Sequence, residues 1–486
     1  MIRLFLIGHT YKYECEKLCQ IFFPLEKPVF PAEDDEAGEA AATVRITLET
    51  ADQTRRCRCE AWLKDPARKS EAEEILSARS TDEEGIARVA VKALSALTGI
   101  KPPWGVLTGV RPAKLMRKLI ETQGEAAAKE TFTTDFFVRE DKTALAARVA
   151  QAEITLLRDD RPRDCSVYVS VPFCPTRCSY CSFVSHSITQ AKKLIPDYIR
   201  LLTEELAMTA GIADKLGLRV RSVYVGGGTP TSLSPEDLYT VTNALNRCFN
   251  ARNTPEFTVE AGRPDTVTPE KLQVLKEAGV QRISINPQTF SNEVLQHIGR
   301  RHTAEETLEK FALARQMGFD NINMDLIAGL PGDSVDGFCA SLTRAIDLAP
   351  ENITVHTLAL KRAAKIVTGG ETGTVAAKTA DMVDYAGKAL TAAGYGPYYM
   401  YRQSRSAGNL ENVGWTVPGK ACLYNVYMME EIHTVLACGG GAVTKLADPP
   451  TNRLVRVFNF KYPYEYISRF HQLVERKDEI VRFYEG

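Results

Sequence analysis

The chain has 486 residues, of which 44% are hydrophobic and 25% are charged, and its 60 Lys and Arg nearly balance its 61 Asp and Glu. This composition is that of an ordinary globular protein with room for about three domain-sized units, so it excludes disordered, collagenous and fibrous classes. The balanced charge argues against nucleic-acid binding as the main role, because phosphate recognition normally shows as a basic excess. Twelve cysteines are too many for an average cytosolic chain and too few for a disulfide scaffold, which indicates a redox or metal role.

The sequence predicts neither a membrane anchor nor a secretory leader. No stretch approaches the roughly 18 consecutive apolar residues of a transmembrane helix. The first eight residues (MIRLFLIG) are typical of a β-strand rather than a signal peptide. We therefore expect a cytoplasmic protein whose cysteines are reduced thiols, metal ligands or core residues.

Residues 1–160 are predicted to form an N-terminal α+β domain of unknown role. The acidic segment Ala32–Ala42 is typical of a solvated loop, and the charged segment Arg158–Arg163 of a linker. The predicted elements are a strand at Ile2–Ile7, a helix at Tyr13–Phe22, a hairpin of Thr43–Glu49 and Arg56–Leu63, and helices at Ser80–Leu97 and Leu145–Leu157.

From Ser166 onward, short apolar strands alternate with helices, as in a parallel sheet or barrel. The predicted strands are Ser166–Val171, Ser222–Val225, Glu256–Glu260, Arg282–Asn286, Asn321–Ala328 and Asn352–Leu360. The predicted helices are Ala191–Leu216, Pro235–Phe249, Pro269–Ala278, Ala304–Met317 and Ser334–Leu348. Six such units predict an α/β fold, a partial (β/α)6 barrel over residues 161–375, with functional side chains at the carboxyl ends of the strands. Residues 376–486 are predicted to be a C-terminal extension that covers the substrate.

A cysteine-rich loop directly follows the first barrel strand. Its sequence, FCPTRCSYCSF, places Cys174, Cys178 and Cys181 in a C-x3-C-x2-C pattern. Three thiolates this close cannot share one helix face, but they can wrap a loop around a [4Fe–4S] cluster and leave one iron open for another ligand. A zinc site closed by His186, or three core cysteines, are the alternatives.

This spacing resembles that of the radical S-adenosylmethionine (SAM) superfamily. The resemblance implies a [4Fe–4S] cluster held by the three cysteines, with SAM bound to the open iron. It also implies that an electron, delivered by a donor protein, cleaves SAM to a 5′-deoxyadenosyl radical.

Further stretches resemble the oxygen-independent coproporphyrinogen III oxidase family. They are YVSVPFC from Tyr168, GGGTPT from Gly226, Glu260 with Pro264, SINPQTF from Ser284, Gly299-Arg300-Arg301, and NMDLIAGLP from Asn323. The layout of the whole chain, with its N-terminal unit and the stretch Asn409–Tyr424, is similar to the HemZ-type branch of that family.

Each of these stretches also has a physical interpretation of its own. The glycine run at Gly226 leaves backbone N–H groups uncovered, which suits a carboxylate. Glu260 and Asp325 end strands where they could accept hydrogen bonds from ribose hydroxyls, although each could also be a helix cap or a surface acid. Gln288 and Arg300 could equally be a loop amide and a solvated cation.

The family resemblance turns these residues into two SAM sites. It implies that Tyr168, Gly227 and Glu260 contact the SAM on the cluster. It implies that a second SAM is lined by Tyr180, Gly228, Thr229, Gln288, Arg300, Asp325 and Ala359.

Two departures from the family pattern bear on activity. Where decarboxylating members usually have His and Cys, this chain has Ser170 and Phe183, and the motif is closer to the heme-chaperone relatives. Ser170 cannot donate a proton as an imidazole would. The leading hypothesis is oxidative decarboxylation of coproporphyrinogen III to protoporphyrinogen IX. The rivals are a heme-binding chaperone and another radical SAM enzyme acting on a tetrapyrrole; in each case the partner is a tetrapyrrole.

Two further groups of residues have two interpretations each. Cys15, Cys19, Cys57 and Cys59 could form a four-ligand metal site or fill the core. The stretch Tyr398–Arg405 could face tetrapyrrole propionates through Arg402 and Arg405, or be a strand with a solvated edge. The isolated cysteines are expected to be packing residues; they are Cys165, Cys248, Cys339, Cys422 and Cys438.

Overall fold

A computed structural model describes residues 1–24, 26–31, 40–65, 67–181, 185–359, 372–403 and 406–485, with the side chains of residues 372–374 left aside. The chain forms two compact units. The first comprises residues 1–151 and 400–411, and the second comprises residues 152–399 and 412–486. The three-part division expected from the sequence stays a prediction.

The first unit contains a five-stranded sheet in the order β2-β1-β3-β4-β5. Its strands are β1 (Ile2–Ile7), β2 (Pro28–Val29), β3 (Ala42–Ala51), β4 (Thr54–Leu63) and β5 (Lys69–Ile75). The helices that begin in this unit are α1 (Lys12–Phe22), α2 (Asp82–Thr98), α3 (Pro112–Gln123), α4 (Glu125–Glu130) and α5 (Glu140–Leu156). The hairpin predicted from the sequence is confirmed, because β3 and β4 pair antiparallel around Asp52 and Gln53. Both turn residues have positive φ, as a two-residue hairpin turn requires.

The cysteines of the first unit lie in its core. Cys15 and Cys19 of α1 and Cys57 and Cys59 of β4 are fully buried. Burial raises the pKa of all four thiols, which keeps them protonated and unreactive. Within the described ranges no three of them lie close enough together to share one metal ion. The interpretation as small apolar core residues therefore fits better than a four-ligand metal site.

The second unit is built on six parallel strands, in the order β6-β9-β10-β11-β12-β13. They are β6 (Asp164–Val171), β9 (Arg219–Gly227), β10 (Glu256–Glu260), β11 (Arg282–Ser284), β12 (Ile322–Ala328) and β13 (Asn352–Thr357), and a short pair, β7 (Phe173–Cys174) and β8 (His186–Ser187), follows β6. The order of the strands does not return from β13 to β6, so the sheet does not close and the second unit is a partial (β/α)6 barrel, as predicted.

Several of the helices that follow these strands begin at a capping residue. The helices are α6 (Ile188–Ala191), α7 (Ile195–Lys215), α8 (Pro235–Phe249), α9 (Pro269–Glu277), α10 (Asn292–His297), α11 (Ala304–Gln316) and α12 (Val335–Asp347), followed by α13 (Thr372–Ala392). Before α8, α9, α11 and α12, a hydroxyl accepts a hydrogen bond from a backbone N–H of the first turn. These caps are Ser234, Thr268, Thr303 and Ser334. Such caps satisfy N–H groups that have no partner inside the helix.

The C-terminal part of the chain extends the same sheet at both edges. It contains β14 (Gly396–Arg402), β15 (Glu411–Thr416), α14 (Leu423–Glu430), β16 (Thr434–Cys438), β17 (Val443–Asp448), β18 (Arg453–Phe458), α15 (Pro463–Ser468) and α16 (Phe470–Glu485). Strand β15 pairs antiparallel with β13, and β16 pairs parallel with β6. None of the helices in the described ranges combines the length and apolar character that a bilayer crossing requires.

Candidate active site

The cysteine loop begins where β6 ends. Cys174 pairs through its backbone with Ser187 in the short β7–β8 ladder, and its Sγ lies 3.4 Å from the hydroxyl of Thr229. Burial raises the pKa of the Cys174 thiol, and the Thr229 hydroxyl works against that rise. The Sγ of Cys178 accepts a hydrogen bond of 3.5 Å from the Arg263 guanidinium. A positive donor stabilises a thiolate, the form that ligates metal.

The three thiols do not converge as the ligands of a single ion would. In the part of the chain that the structure describes, no three ligand atoms from Cys174, Cys178, Cys181 and His186 lie close together. The His186 ring instead meets Tyr462 edge-on, with 5.8 Å between centroids. The zinc alternative therefore lacks a closed ligand set, whereas cysteines that bind different irons of a cluster need not converge.

Another group of possible ligands, away from the cysteine loop, is held by structural contacts. The described ligand atoms of Asp160, Asp164 and His433 do lie close together. However, both oxygens of Asp164 accept hydrogen bonds from the Arg219 guanidinium, at 2.6 and 2.7 Å, and Asp160 is 2.5 Å from His433 Nε2. These side chains already satisfy one another.

The glycine run at the end of β9 allows close backbone contact. The N–H of Gly228 donates to the Val171 carbonyl at 2.8 Å, and the N–H of Thr229 donates to Phe173 at 2.7 Å. The expectation that the glycine run leaves its N–H groups uncovered is therefore wrong for Gly228. A Cβ on Gly228 would lie 2.6 Å from the Phe173 carbonyl oxygen, so glycine is required for the loop to pass. Gly227 has a φ of +103°, which also favours glycine.

Tyrosines surround the first strand-end carboxylate, Glu260. The Tyr224 hydroxyl donates a 2.6 Å hydrogen bond to Glu260 Oε1. Burial raises the pKa of Glu260 to about 7, although the bond from Tyr224 opposes the rise. The rings of Tyr224 and Tyr424 stack at 4.5 Å, and the Tyr168 ring is near both, 6.1 Å from Tyr424 and 6.4 Å from Tyr224. A Cβ on Gly226 would meet the Glu260 carboxylate at 2.9 Å, so this glycine makes room for the carboxylate.

The second carboxylate, Asp325, is held by amides. It lies in the middle of β12, so the expectation that it ends its strand is wrong. Asn286 donates to Oδ2 and Asn323 to Oδ1, both at 2.7 Å. Burial acts to raise the pKa of Asp325, but His356, 3.7 Å from Oδ1, and the amide bonds outweigh it, so the pKa lies below its usual value. Asp325 is therefore an ionised acceptor at neutral pH, whereas Glu260 changes between its neutral and ionised forms near neutral pH.

Arg300 and Tyr180 form a further pair beside Asp325. The Arg300 guanidinium donates to the Tyr180 hydroxyl at 3.0 and 3.2 Å and to the Asn286 carbonyl at 3.4 Å. Tyr180 packs against an apolar cluster that includes Ile298 and Ile327. Arg300 is buried, so it is not the solvated cation that the sequence left open. Asn286 joins this pair to Asp325.

The remaining residues expected from the resemblance lie at the same strand ends. Gln288 is buried, has a φ of +67°, and exchanges backbone hydrogen bonds with Asp325 and Ile327. Ala359 is half-buried, two residues beyond β13. Sequence reasoning missed Tyr224, Tyr424 and Asn286. Tyr224 could have been found from strand alternation, because it lies two residues before Gly226 and therefore on the same face.

The last residues to locate are the two departures from the family pattern and the two arginines that could face propionates. Ser170 is buried and donates a 2.7 Å hydrogen bond to the Gly440 carbonyl. Phe183 and Arg405 lie outside the described residues. Arg402, in the first unit, is 3% exposed and donates to the Leu107 carbonyl at 2.6 Å. Burial lowers the pKa of Arg402 to about 10. This arginine is thus neither a free partner for propionates nor part of a solvated edge.

The chain is similar in sequence to several known proteins. The model of the radical SAM superfamily matches residues 168–345. The chain is 39% identical over 398 residues to the oxygen-independent coproporphyrinogen-III oxidase-like protein HemZ of Bacillus subtilis, covering 81% of this chain and 79% of HemZ. It is 30% identical over 304 residues to the heme chaperone HemW of Escherichia coli, covering 61% of this chain and 74% of HemW.

A solved structure shows the same fold. Coproporphyrinogen III oxidase (HemN) from Escherichia coli, a radical SAM enzyme, matches with a TM-score of 0.51 at 22% identity, covering 67% of this chain and 73% of HemN. This likeness concerns the fold alone. Membership of the superfamily implies a [4Fe–4S] cluster and SAM. The chain thus belongs to the radical SAM superfamily and, within it, to the HemZ-type branch of the oxygen-independent coproporphyrinogen III oxidase family.

Proposed function

We propose that this protein is a radical SAM enzyme that converts coproporphyrinogen III to protoporphyrinogen IX without oxygen. The observation that carries the proposal is the position of the cysteine loop at the end of β6. The loop contacts Thr229, which follows β9, and Arg263, which follows β10. When bound, the cluster and SAM supply a radical that removes a hydrogen atom from a propionate side chain. Loss of CO2, with transfer of one electron to an external one-electron acceptor, would then convert that propionate to a vinyl group, and a second propionate would react in the same way. The relatives named for coproporphyrinogen oxidation and heme support a tetrapyrrole as the partner.

We assign the cluster to Cys174, Cys178 and Cys181. Arg263 supports this assignment, because its guanidinium donates to the Cys178 sulfur and also forms a 2.9 Å ion pair with Asp265. The ion pair fixes the guanidinium, so its positive charge is available to stabilise a thiolate without rearrangement.

We assign SAM to the carboxylates and backbone at the strand ends. Glu260, with Tyr168 and Gly227, would hold the amino group and ribose of the SAM on the cluster, since an ionised carboxylate accepts charge-assisted hydrogen bonds. The second SAM would be lined by Tyr180, Gly228, Thr229, Gln288, Arg300, Asp325 and Ala359. The bond from Arg300 fixes the Tyr180 ring, whose face can stack on adenine.

An anaerobic turnover assay tests the proposal. The reconstituted protein, reduced by a one-electron donor, is mixed with SAM and coproporphyrinogen III, and 5′-deoxyadenosine and the vinyl product are measured. We expect both products, and we expect Cys178→Ala to make neither. Cys248→Ala is the matched control, because Cys248 is a half-buried cysteine of α8 outside the loop. Full turnover by Cys178→Ala would contradict the cluster assignment, and no product from the wild type would contradict the reaction.

A heme carrier is the second candidate, and Ser170 favours it. The Ser170 hydroxyl is engaged by the Gly440 carbonyl and cannot act as the imidazole of decarboxylating relatives would. Heme titration decides between the two: tight stoichiometric binding without 5′-deoxyadenosine formation supports the carrier. A tetrapyrrole product whose mass differs from that of the vinyl product would instead indicate a different radical reaction on a tetrapyrrole.

A further inference from the structure

An exposed aromatic surface lies at the C-terminal end of the second unit. We name Phe458, Lys461, Tyr462, Tyr464 and Arg469 the C-terminal patch. Phe458 is 56% and Tyr464 52% exposed, which is unusual for large aromatic side chains. The rings of Tyr462 and Tyr464 stack at 5.6 Å with an angle of 9°. Exposed, mutually ordered tyrosines are typical of protein–protein interfaces.

One series of rings connects the patch to the cysteine loop, and a second series reaches the loop from Tyr466, a buried residue outside the patch. Tyr462 contacts the His186 ring at 5.8 Å, and His186 directly precedes Ser187, which pairs with Cys174. In the second series, Tyr466 of α15 contacts Tyr198 at 5.0 Å, and Tyr198 contacts Phe173, the residue before Cys174, at 5.1 Å. The surface and the cluster ligands are thus joined through packed aromatic side chains.

The patch is also positively charged. Its two charged members, Lys461 and Arg469, are both cationic. Arg469 and Arg476 both lie over the Phe460 ring, each 4.2 Å from its centroid, which fixes two guanidiniums at the surface. Lys461 is exposed beside them. A fixed cationic surface favours an acidic partner, mainly by accelerating association.

We propose that the C-terminal patch docks an acidic, low-potential one-electron carrier protein that reduces the cluster. This inference rests on the proposed function, because it requires a cluster on the cysteine loop. One electron leaves the reduced flavin or iron–sulfur centre of the carrier, which is oxidised by one electron, and enters the cluster, which is reduced by one. No bond forms or breaks, and no proton is transferred.

Stopped-flow reduction of the reconstituted protein tests the docking. The probes are an acidic reduced flavodoxin, an acidic reduced [2Fe–2S] ferredoxin, and dithionite, which needs no docking surface. The patch variant combines Lys461→Glu with Tyr464→Ala. The matched control combines Lys388→Glu with Tyr239→Ala, which changes an exposed lysine of α13 and an exposed tyrosine of α8.

We expect reduction by at least one carrier to be tenfold slower or more in the patch variant and to depend less on salt. Dithionite should reduce wild type, patch variant and control at the same rate. As a readout that needs no cluster, calorimetry of the cluster-free chain with the oxidised carrier should show a dissociation constant at least tenfold higher for the patch variant.

Other outcomes separate the two proposals. Equal rates and equal affinities for the wild type and the patch variant with both carriers would overturn the docking inference. If dithionite finds no reducible cluster in the wild type, the proposed function fails. In that case, equal dissociation constants for the wild type and the patch variant with the oxidised carrier would separately overturn the docking inference.

Discussion

Removing the hydroxyl of Tyr224 should change how SAM binding depends on pH. This hydroxyl donates a 2.6 Å hydrogen bond to Glu260 Oε1, and the bond favours the ionised carboxylate. Tyr224→Phe removes the donor but keeps the ring that stacks on Tyr424. Because ionised Glu260 is the form proposed to hold the amino group of SAM, SAM binding should strengthen as the pH rises through the pKa of Glu260. The substitution should move that rise to higher pH.

The size of the shift follows from the hydrogen bond. A hydrogen bond to a charged group contributes about 1.5–3 kcal/mol, and one pKa unit corresponds to about 1.36 kcal/mol. The pKa of Glu260, about 7 in the wild type, should therefore rise by about one to two units in Tyr224→Phe. At about pH 7.5 the ionised fraction falls from about three quarters to between about a quarter and a few per cent. SAM should then bind about threefold to 25-fold more weakly.

Equilibrium dialysis of SAM against the reconstituted protein, from about pH 5.5 to 9.5, measures this effect. The binding curve should rise with the ionisation of Glu260 and fall with the deprotonation of the SAM amino group. The fall should be the same for both proteins, so only the rising limb should move. Tyr239→Phe, at an exposed tyrosine, should leave the whole curve unchanged. A rising limb with the same midpoint in Tyr224→Phe and wild type would refute the reasoning.

Three further substitutions test other contacts. Arg263→Met removes the cationic donor to the Cys178 sulfur, so a chelator should extract iron several-fold faster; an unchanged rate would argue against a role for this contact. Gly228→Ala would place a Cβ 2.6 Å from a backbone oxygen of the cysteine loop. The iron bound per chain should therefore fall while the far-UV circular dichroism spectrum stays constant, and full iron loading would contradict the steric argument. The Lys477 ammonium lies 2.8 Å from the Glu205 carboxylate, and Glu205→Gln would leave this buried lysine without its ion-pair partner. The free energy of unfolding, measured by urea titration, should therefore fall by about 3–5 kcal/mol. Adding Lys477→Met should recover part of that loss.

The sequence predicted those elements whose boundaries are marked by local chemistry. Helix α8 and strand β10 begin and end where predicted. Ser234 caps the helix and a proline occupies its first position, and the strand alternates polar residues with the apolar Phe257 and Val259. Strand β5 was missed. Its sequence, KSEAEEI, has no apolar face, because it lies at the edge of its sheet, where charged side chains are tolerated.

The candidate site could be predicted only as far as it depends on linear motifs. The cysteine spacing located the loop, and the resemblance supplied Glu260 and Asp325. Neither could show that Asn286 joins Asp325 to Arg300, because that contact depends on how the segment after β11, strand β12 and the segment after α10 meet. The glycine run was assigned free N–H groups for the same reason: the sequence does not show that the loop after β6 folds back onto Gly228.

The two ends of the barrel strands show what separates a structural charge from a functional one. At the amino ends, Glu256 accepts hydrogen bonds from the backbone N–H groups of Leu423 and Tyr424, at 2.7 and 3.2 Å. Arg282 donates there to two backbone carbonyls, each at 2.9 Å. The chain after β15 thus uses the hydrogen-bonding capacity of these buried charges, as burial requires.

At the carboxyl end of the same strand β10, Glu260 has a single described hydrogen bond, and its pKa is raised to about 7. A buried carboxylate with unused acceptor capacity is costly unless a ligand completes it. The charge at one end of β10 is therefore consumed by the fold, whereas under the proposed function the charge at the other end would accept a hydrogen bond from the amino group of SAM.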